Sequence, residues 1–473
     1  MTISLDGPRG FIAVDLGGQS GRVLLGTFTG SGLVLDEAHR FVNRPAIVDG
    51  LLCWDTGRLF DETLTGLASA VSIAASRGAT VEGIGVDSWG VDYGLVGREG
   101  DLVAPVRHHR AGEARHVAMG HDRVPADEAY SRTGIIESTI NTCFQLVRDV
   151  ELDLLSSEPT VLLTADLWTF WLTGTRAAER TLASTTGMLD WGTGDWAFDL
   201  LERWGIPTTT MPRLVSAGSP AGQTTDAVSE RIGLSVPVFH VASHDTASAF
   251  AAVVSADEPV AVISCGTWAL VGCRTSEPVL TDEAMAAGFT NEEGIDGSVV
   301  FVRNLSGTWL LEECLREWAS EDGTQDVSAL RSRLLADAGA IAAASSVVTI
   351  DPGAPELIDP GGMPQRIAGI HRRLTGDDRS VSRPEIVRLI LESLAASFAS
   401  TITTAGRLTA RPCTEVRMIG GGSRIDLLVA LTERAVALPV RIGHAEATSI
   451  GSIAIQSVAA GVFATLDDAR RQA

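Results

Sequence analysis

Residues 11–16 (Phe-Ile-Ala-Val-Asp-Leu) form an apolar run broken by one carboxylate, and a second apolar run covers residues 22–28. Gly17, Gly18, Gln19, Ser20 and Gly21 lie between them. Two apolar runs of strand length joined by a glycine-rich tip predict a hairpin. The pattern returns near residue 260. Residues 261–265 are apolar, Gly266 and Thr267 make a turn, and residues 268–272 are apolar again. Similar units near the start of each half predict a duplicated architecture.

Further strand-like runs fall at residues 81–86, 161–164 and 238–242. Residues 60–75 and 385–408 space their apolar positions as amphipathic helices do. Ser382 suits the cap and Pro384 the first turn of the second helix. A short strand ends at Met418 and Ile419, residues 420–423 turn, and residues 426–437 read as helix. Alternating strands and helices predict an α/β protein with largely parallel or mixed sheets. A chain of 473 residues suits two domains. The boundary is expected near residues 245–258, with residues 255–259 as a linker, giving domains 1–248 and 249–473.

Composition narrows the function. Hydrophobic residues make up 45% and charged residues 20%, the balance of a folded chain and not of a disordered one. The net charge of −22 opposes binding to nucleic acid and to anionic membrane surfaces. All 37 basic residues are arginine. Without lysine there is no P-loop, no protein-kinase strand lysine and no pyridoxal Schiff base. The six cysteines form no CxxC pair, so neither a zinc site nor a redox dithiol is expected. No signal-peptide pattern opens the chain and no uninterrupted apolar run reaches membrane-span length, so the expected compartment is the cytoplasm.

The glycine-rich tips carry the first chemistry. Without a Cβ, backbone N–H groups approach a ligand closely and gather around phosphate oxygens. At the first tip, Ser20 adds a hydroxyl and Arg22 a charge, while Asp15 stands where a carboxylate holds Mg²⁺ through water. The tip at Gly266 and Thr267 is the second such element. Gly420, Gly421 and Gly422 form a third, suited to a purine or its ribose. Ser243, His244, Asp245 and Thr246 follow an apolar run, where a sugar finds several directed hydrogen bonds. Asp245 is the candidate carboxylate to accept a hydroxyl proton. In the segment 87–93, Trp89 offers a face for a sugar ring, Gly90 permits close approach, and Asp92 suits hydroxyl donors. Each segment alone equally suits an ordinary turn, a helix cap, a structural histidine or a buried tryptophan. His108 and His109 lack a third metal ligand nearby and stay unassigned.

Together the segments resemble one family, the FGGY carbohydrate kinases. The matching pieces are DLGGQSGR at 15–22, GVDSWGVDYGLV at 85–96, SHDTASA at 243–249, SCGTWALVG at 264–272 and IGGGSRIDLL at 419–428. The pieces are most like those of members that phosphorylate L-rhamnulose at its first-carbon hydroxyl. The resemblance implies two actin-like (ribonuclease H-like) domains with a catalytic cleft between them, which close over ATP, Mg²⁺ and a small ketose. By matching position it assigns Gly18, Gln19, Ser20, Gly21, Arg22, Thr267, Glu312 and Gly421 to ATP. It assigns Trp89, Gly90, Asp92, His244, Asp245, Thr246 and Asn304 to the sugar, with Asp245 as base and Asp15 and Asp245 near Mg²⁺. Two positions depart from the L-rhamnulose pattern. Thr139 and Ile140 stand where a Pro-Phe pair is usual, and Glu312 stands where a glutamine is expected. Another ketose (L-fuculose, L-ribulose or D-xylulose), a non-catalytic sugar or nucleotide sensor, and a polymerising actin-like protein remain as alternatives.

Overall fold

The computed structural model describes residues 7–253, 258–341 and 348–472. The chain forms two compact units. Among the described residues, the first comprises 7–253, 275–300 and 446–472, and the second 258–274 and 301–445. A single cut at 248/249 therefore does not describe the units, because two later segments pack with the first. Most of the expected linker, residues 254–257, lies outside the described residues.

In the first unit, strands β1 (Arg9–Leu16), β2 (Ser20–Thr29), β3 (Gly32–Val42), β4 (Thr80–Ser88), β5 (Pro220–Gln223) and β6 (Pro237–Phe239) form one sheet. Its order is β5-β6-β4-β1-β2-β3. β1 and β2 make the expected antiparallel hairpin, and β4 runs parallel to β1. Residues alternate between the faces of a strand, and β1 is buried on both. Ile12, Val14 and Leu16 join the core that contains Leu59 and Leu67 of the helix Thr56–Ser76. Phe11 and Ala13 pack with Ile453 and Ala454 of the helix Ala447–Ala459. A strand covered on both faces reads as a continuous apolar run, which is why residues 11–16 look as they do.

The helix Ala447–Ala459 crosses the helix Asp245–Val253 closely. A Cβ at Gly451 would lie 1.9 Å from the Ser248 carbonyl oxygen, so only glycine fits this crossing. The expected strand 238–242 stops its ladder at Phe239, and the chain then runs on to an isolated parallel bridge between His244 and Ser88.

The second unit repeats the plan. Strands β7 (Val260–Cys265), β8 (Trp268–Thr275), β9 (Val299–Ser306), β10 (Glu415–Ile419) and β11 (Val440–Ile442) belong to one six-stranded sheet and run β9-β8-β7-β10-β11. β7 pairs antiparallel with β8 and parallel with β10, as β1 does with β2 and β4. The expected duplication is thus present in the strand order. Helix Arg383–Leu408 starts at the Ser382 capping box with Pro384 in its first turn. Length and hydropathy alone would let it cross a membrane. Instead Val387, Ile390, Leu394 and Phe398 lie in the core with Ile263 and Met418.

Candidate functional site

The carboxyl ends of three neighbouring segments of the first unit carry three aspartates. Asp15 on β1 lies opposite Asp87 on the parallel β4. One residue on, Ser88 bridges to His244, and its N–H donates to the Ser243 carbonyl at 2.8 Å. Asp245 therefore begins its helix beside the other two. The environments of the three differ. Asp15 accepts from Arg22 Nε at 2.8 Å and pairs with Nη2 at 2.7 Å. Asp87 is fully buried, and neither of its oxygens has a hydrogen-bond partner. Burial first, then the Asp15 and Asp245 charges, push its carboxyl well above the usual range. Asp245 keeps 34% of its side chain exposed, and among the described residues no arginine pairs with it.

His244 sets the charge beside Asp245. Its Nε2 lies 3.4 Å from the Asp245 carboxylate and its Nδ1 3.1 Å from Glu292. Burial alone would lower its pKa, but Glu292, Asp245 and Glu179 outweigh burial and raise it to about 9. The imidazolium is thus the form present at neutral pH. Burial raises the Asp245 carboxyl, opposed mainly by His244 and by hydrogen bonds from Thr246. Solvent on its open third tempers that rise.

An aromatic wall stands beside Gly90. Trp54 and Trp89 have ring centroids 4.6 Å apart, and Trp54 stacks on His108 at 4.2 Å. One Asp92 oxygen accepts from Trp54 Nε1 at 2.7 Å and Trp89 Nε1 at 2.8 Å, and lies 2.8 Å from His109 Nδ1. Trp89 is half-buried, so part of its face is open.

In the second unit three loops meet. The Gly266 carbonyl accepts from the Thr308 N–H at 2.8 Å, and the Thr267 carbonyl from the Gly307 N–H at 3.0 Å. A Cβ at Gly422 would lie 2.4 Å from the Cys265 sulfur, so the third glycine loop seats against the β7–β8 tip. Glu312, in the first turn of helix Trp309–Asp322, pairs with Arg331 at 2.9 Å. Asn304 is exposed on β9. Gly18, Gly266 and Gly421 share a property that Gly422 lacks. None has a positive φ, and a Cβ on any of them meets nothing closer than 3.8 Å. The fold does not require glycine at these three places, because a side chain there would meet neither a close atom nor a strained backbone.

The comparisons with known proteins agree with this geometry. Residues 11–252 match the N-terminal domain, and residues 261–460 the C-terminal domain, of the FGGY family of carbohydrate kinases. The chain belongs to this family. It is 35% identical to a rhamnulokinase of Bacteroides thetaiotaomicron over 96% of this chain and 91% of that one. It is 34% identical to a rhamnulokinase of Klebsiella pneumoniae over 98% of this chain and 92% of that one. Its fold matches a ligand-bound xylulose kinase from Lactobacillus acidophilus with a TM-score of 0.79 at 15% identity, covering 98% of this chain and 92% of that one. It is therefore an ATP-dependent carbohydrate kinase with the two-domain FGGY fold.

Four residues expected in the site of this FGGY kinase already have partners within the fold. Gly21 is not part of the open tip, because it pairs with Leu16 and Phe41 in the sheet and its Cβ space is filled by the Phe41 ring. Arg22 is half-buried and paired on two sides. Its guanidinium is held by Asp15 and by Glu446 at 2.7 Å. Asp92 is not open to sugar hydroxyls, since it is fully buried and one oxygen already meets three nitrogen groups. The Thr246 hydroxyl is buried and donates to Asp245 at 3.2 Å.

Asp87, His109 and Glu292, which received no role from the sequence, stand beside the candidate residues. Asp87 ends an apolar strand as Asp15 does, and that parallel is a signal the sequence contains. Glu292 and His109 carry none, because their partners lie 48 and 17 positions away.

Proposed function

We propose that this kinase transfers the γ-phosphoryl group of ATP to the first-carbon hydroxyl of L-rhamnulose, giving L-rhamnulose 1-phosphate and ADP. The observation that carries the reading is the contrast among the three aspartates. Of the three, Asp245 alone combines an open carboxylate with no arginine partner among the described residues, as suits a group that takes a hydroxyl proton. As that hydroxyl attacks, Asp245 Oδ accepts its proton and His244 holds the carboxylate side chain from behind. Trp89 and Gly90 shape the sugar subsite, with Asp92 orienting the indole. Backbone N–H groups of the tip at Gly18 receive charge from the phosphoryl oxygens, and the tip at Gly266 is assigned to the nucleotide phosphates. Asn304 is assigned to the sugar. Gln19, Ser20, Thr267, Glu312 and Gly421 are assigned to the nucleotide.

Among the described residues no three His, Cys, Asp or Glu side chains are grouped closely enough to hold a metal ion alone. Mg²⁺ usually takes one or two carboxylates and completes its shell with water and phosphate oxygens. Asp15 and Asp245 are hard oxygen donors that fit this pattern, with Asp87 unpartnered beside them. The bound ion would neutralise charge on the triphosphate. We place the reaction in the cytoplasm, where ATP is supplied.

The test is ADP release with L-rhamnulose, L-fuculose, L-ribulose and D-xylulose, run on the wild type and on Asp245→Asn. L-rhamnulose should give the highest kcat/KM, and the variant should lose on the order of 10²-fold or more in kcat. A higher kcat/KM for another ketose overturns the substrate. Near-normal turnover in the variant overturns the base.

A further inference from the structure

The segment 179–185 touches three parts of the candidate site. Glu179 is fully buried, and its Oε2 accepts from Thr181 N–H at 3.0 Å, the Thr181 hydroxyl at 2.5 Å, Leu182 N–H at 3.3 Å and Ser243 N–H at 2.9 Å. The Thr181 hydroxyl oxygen in turn accepts from His244 N–H at 3.2 Å. The two residues that precede Asp245 thus hang from Glu179 and Thr181. Ser184 accepts from the Glu293 N–H at 2.7 Å, and Arg180 Nε donates to the Glu293 carboxylate at 2.6 Å. That clasp fixes the short strand Thr290–Glu293, whose Glu292 faces His244. Finally, a Cβ at Gly90 would lie 2.9 Å from the Thr185 hydroxyl, so the segment also backs the sugar loop.

We propose that Glu179 is a positioning residue for phosphoryl transfer. It ties the base-bearing segment to the element that braces the sugar loop, so that Asp245 is held in reach of the acceptor hydroxyl. The inference rests on the assignment of Asp245 as the base. A buried carboxylate accepting four donors at one oxygen is a strong and directional anchor. Its replacement by an amide keeps the shape and one acceptor oxygen for those four donors. It removes the negative charge that strengthens and directs their hydrogen bonds, and puts an N–H₂ group at the Oε1 position, where no partner meets it among the described residues. Displacement of a reacting group by about 1 Å is enough to cost on the order of 10²-fold in rate.

Two variants test this, Glu179→Gln and Thr181→Val, with Asp245→Asn measured in parallel. Expected for Glu179→Gln is a fall in kcat of about 10- to 100-fold, with the ATP KM within about twofold of the wild type. Thr181→Val removes only one hydroxyl and should lower kcat in the same direction by a smaller factor. A purely structural role would instead lower the melting temperature and the active fraction without changing kcat per folded site, and that result overturns the proposal. It is overturned equally by Glu179→Gln or a folded Thr181→Val turning over at the wild-type rate while Asp245→Asn is inactive. Should Glu179→Gln not fold, the kcat of Thr181→Val decides. Normal turnover in Asp245→Asn overturns the base assignment and this inference with it, an outcome distinct from failure of the anchor alone.

Discussion

Gly18→Ala separates fold from ligand. In the protein alone the added methyl meets no atom within 4 Å, and the residue has no left-handed φ to strain. Stability should therefore stay within about 0.5 kcal/mol of the wild type, or rise by about 0.4–1 kcal/mol because alanine narrows the unfolded chain. ATP meets the same methyl differently. If the Gly18 N–H receives a phosphate oxygen, the Cβ pushes that oxygen out of reach and a charge-assisted hydrogen bond of about 1.5–3 kcal/mol is lost. At about 1.4 kcal/mol per tenfold, ATP binding weakens by about 10- to 150-fold. Calorimetric titration with ATP and a thermal melt without it read the two effects separately. Unchanged ATP affinity would refute the phosphate role of the tip. A large drop in melting temperature would refute the claim that the fold leaves this position free. Gly266→Ala and Gly421→Ala should follow the same pattern.

Other consequences are as direct. Gly451→Ala should destabilise strongly and disturb the helix that Asp245 begins, because the Ser248 backbone oxygen occupies the Cβ position; denaturant unfolding measures it. Since the folded pKa of His244 is raised from 6.5 to about 9, its stabilisation is complete below 6.5 and lost as pH rises through 9. Unfolding curves between pH 6 and 10 should show this slope in the wild type and not in His244→Gln. Asp92→Ala should raise the sugar KM and leave the ATP KM unchanged, with a stability loss of at least the ~1–3 kcal/mol of one orphaned buried donor, Trp54 Nε1. Arg331→Ala leaves the Glu312 carboxylate uncompensated, so the ATP KM should rise and Glu312→Gln should restore it. No change in either variant removes Glu312 from the nucleotide site. The pair is partly exposed, and the melting temperature should barely move.

The hairpins, the helices and the duplicated plan are legible in the sequence because their causes are local. A strand buried on both faces must be apolar along its length, a tip must turn, and Ser382 with Glu385 makes its own capping box wherever the helix packs. The Asp245 segment and the glycine tips are legible for the same reason, as polar or glycine residues placed where strands end. Tertiary structure alone decided what each charged group does. Asp15, Asp87 and Asp245 look alike in the sequence. Only packing buries one, gives another to Arg22 and leaves the third open, because desolvation and charge partners are set by neighbours distant along the chain. Asp92, met by donors 38, 3 and 17 positions away, shows the same limit, and so does Glu179, 64 positions from Ser243.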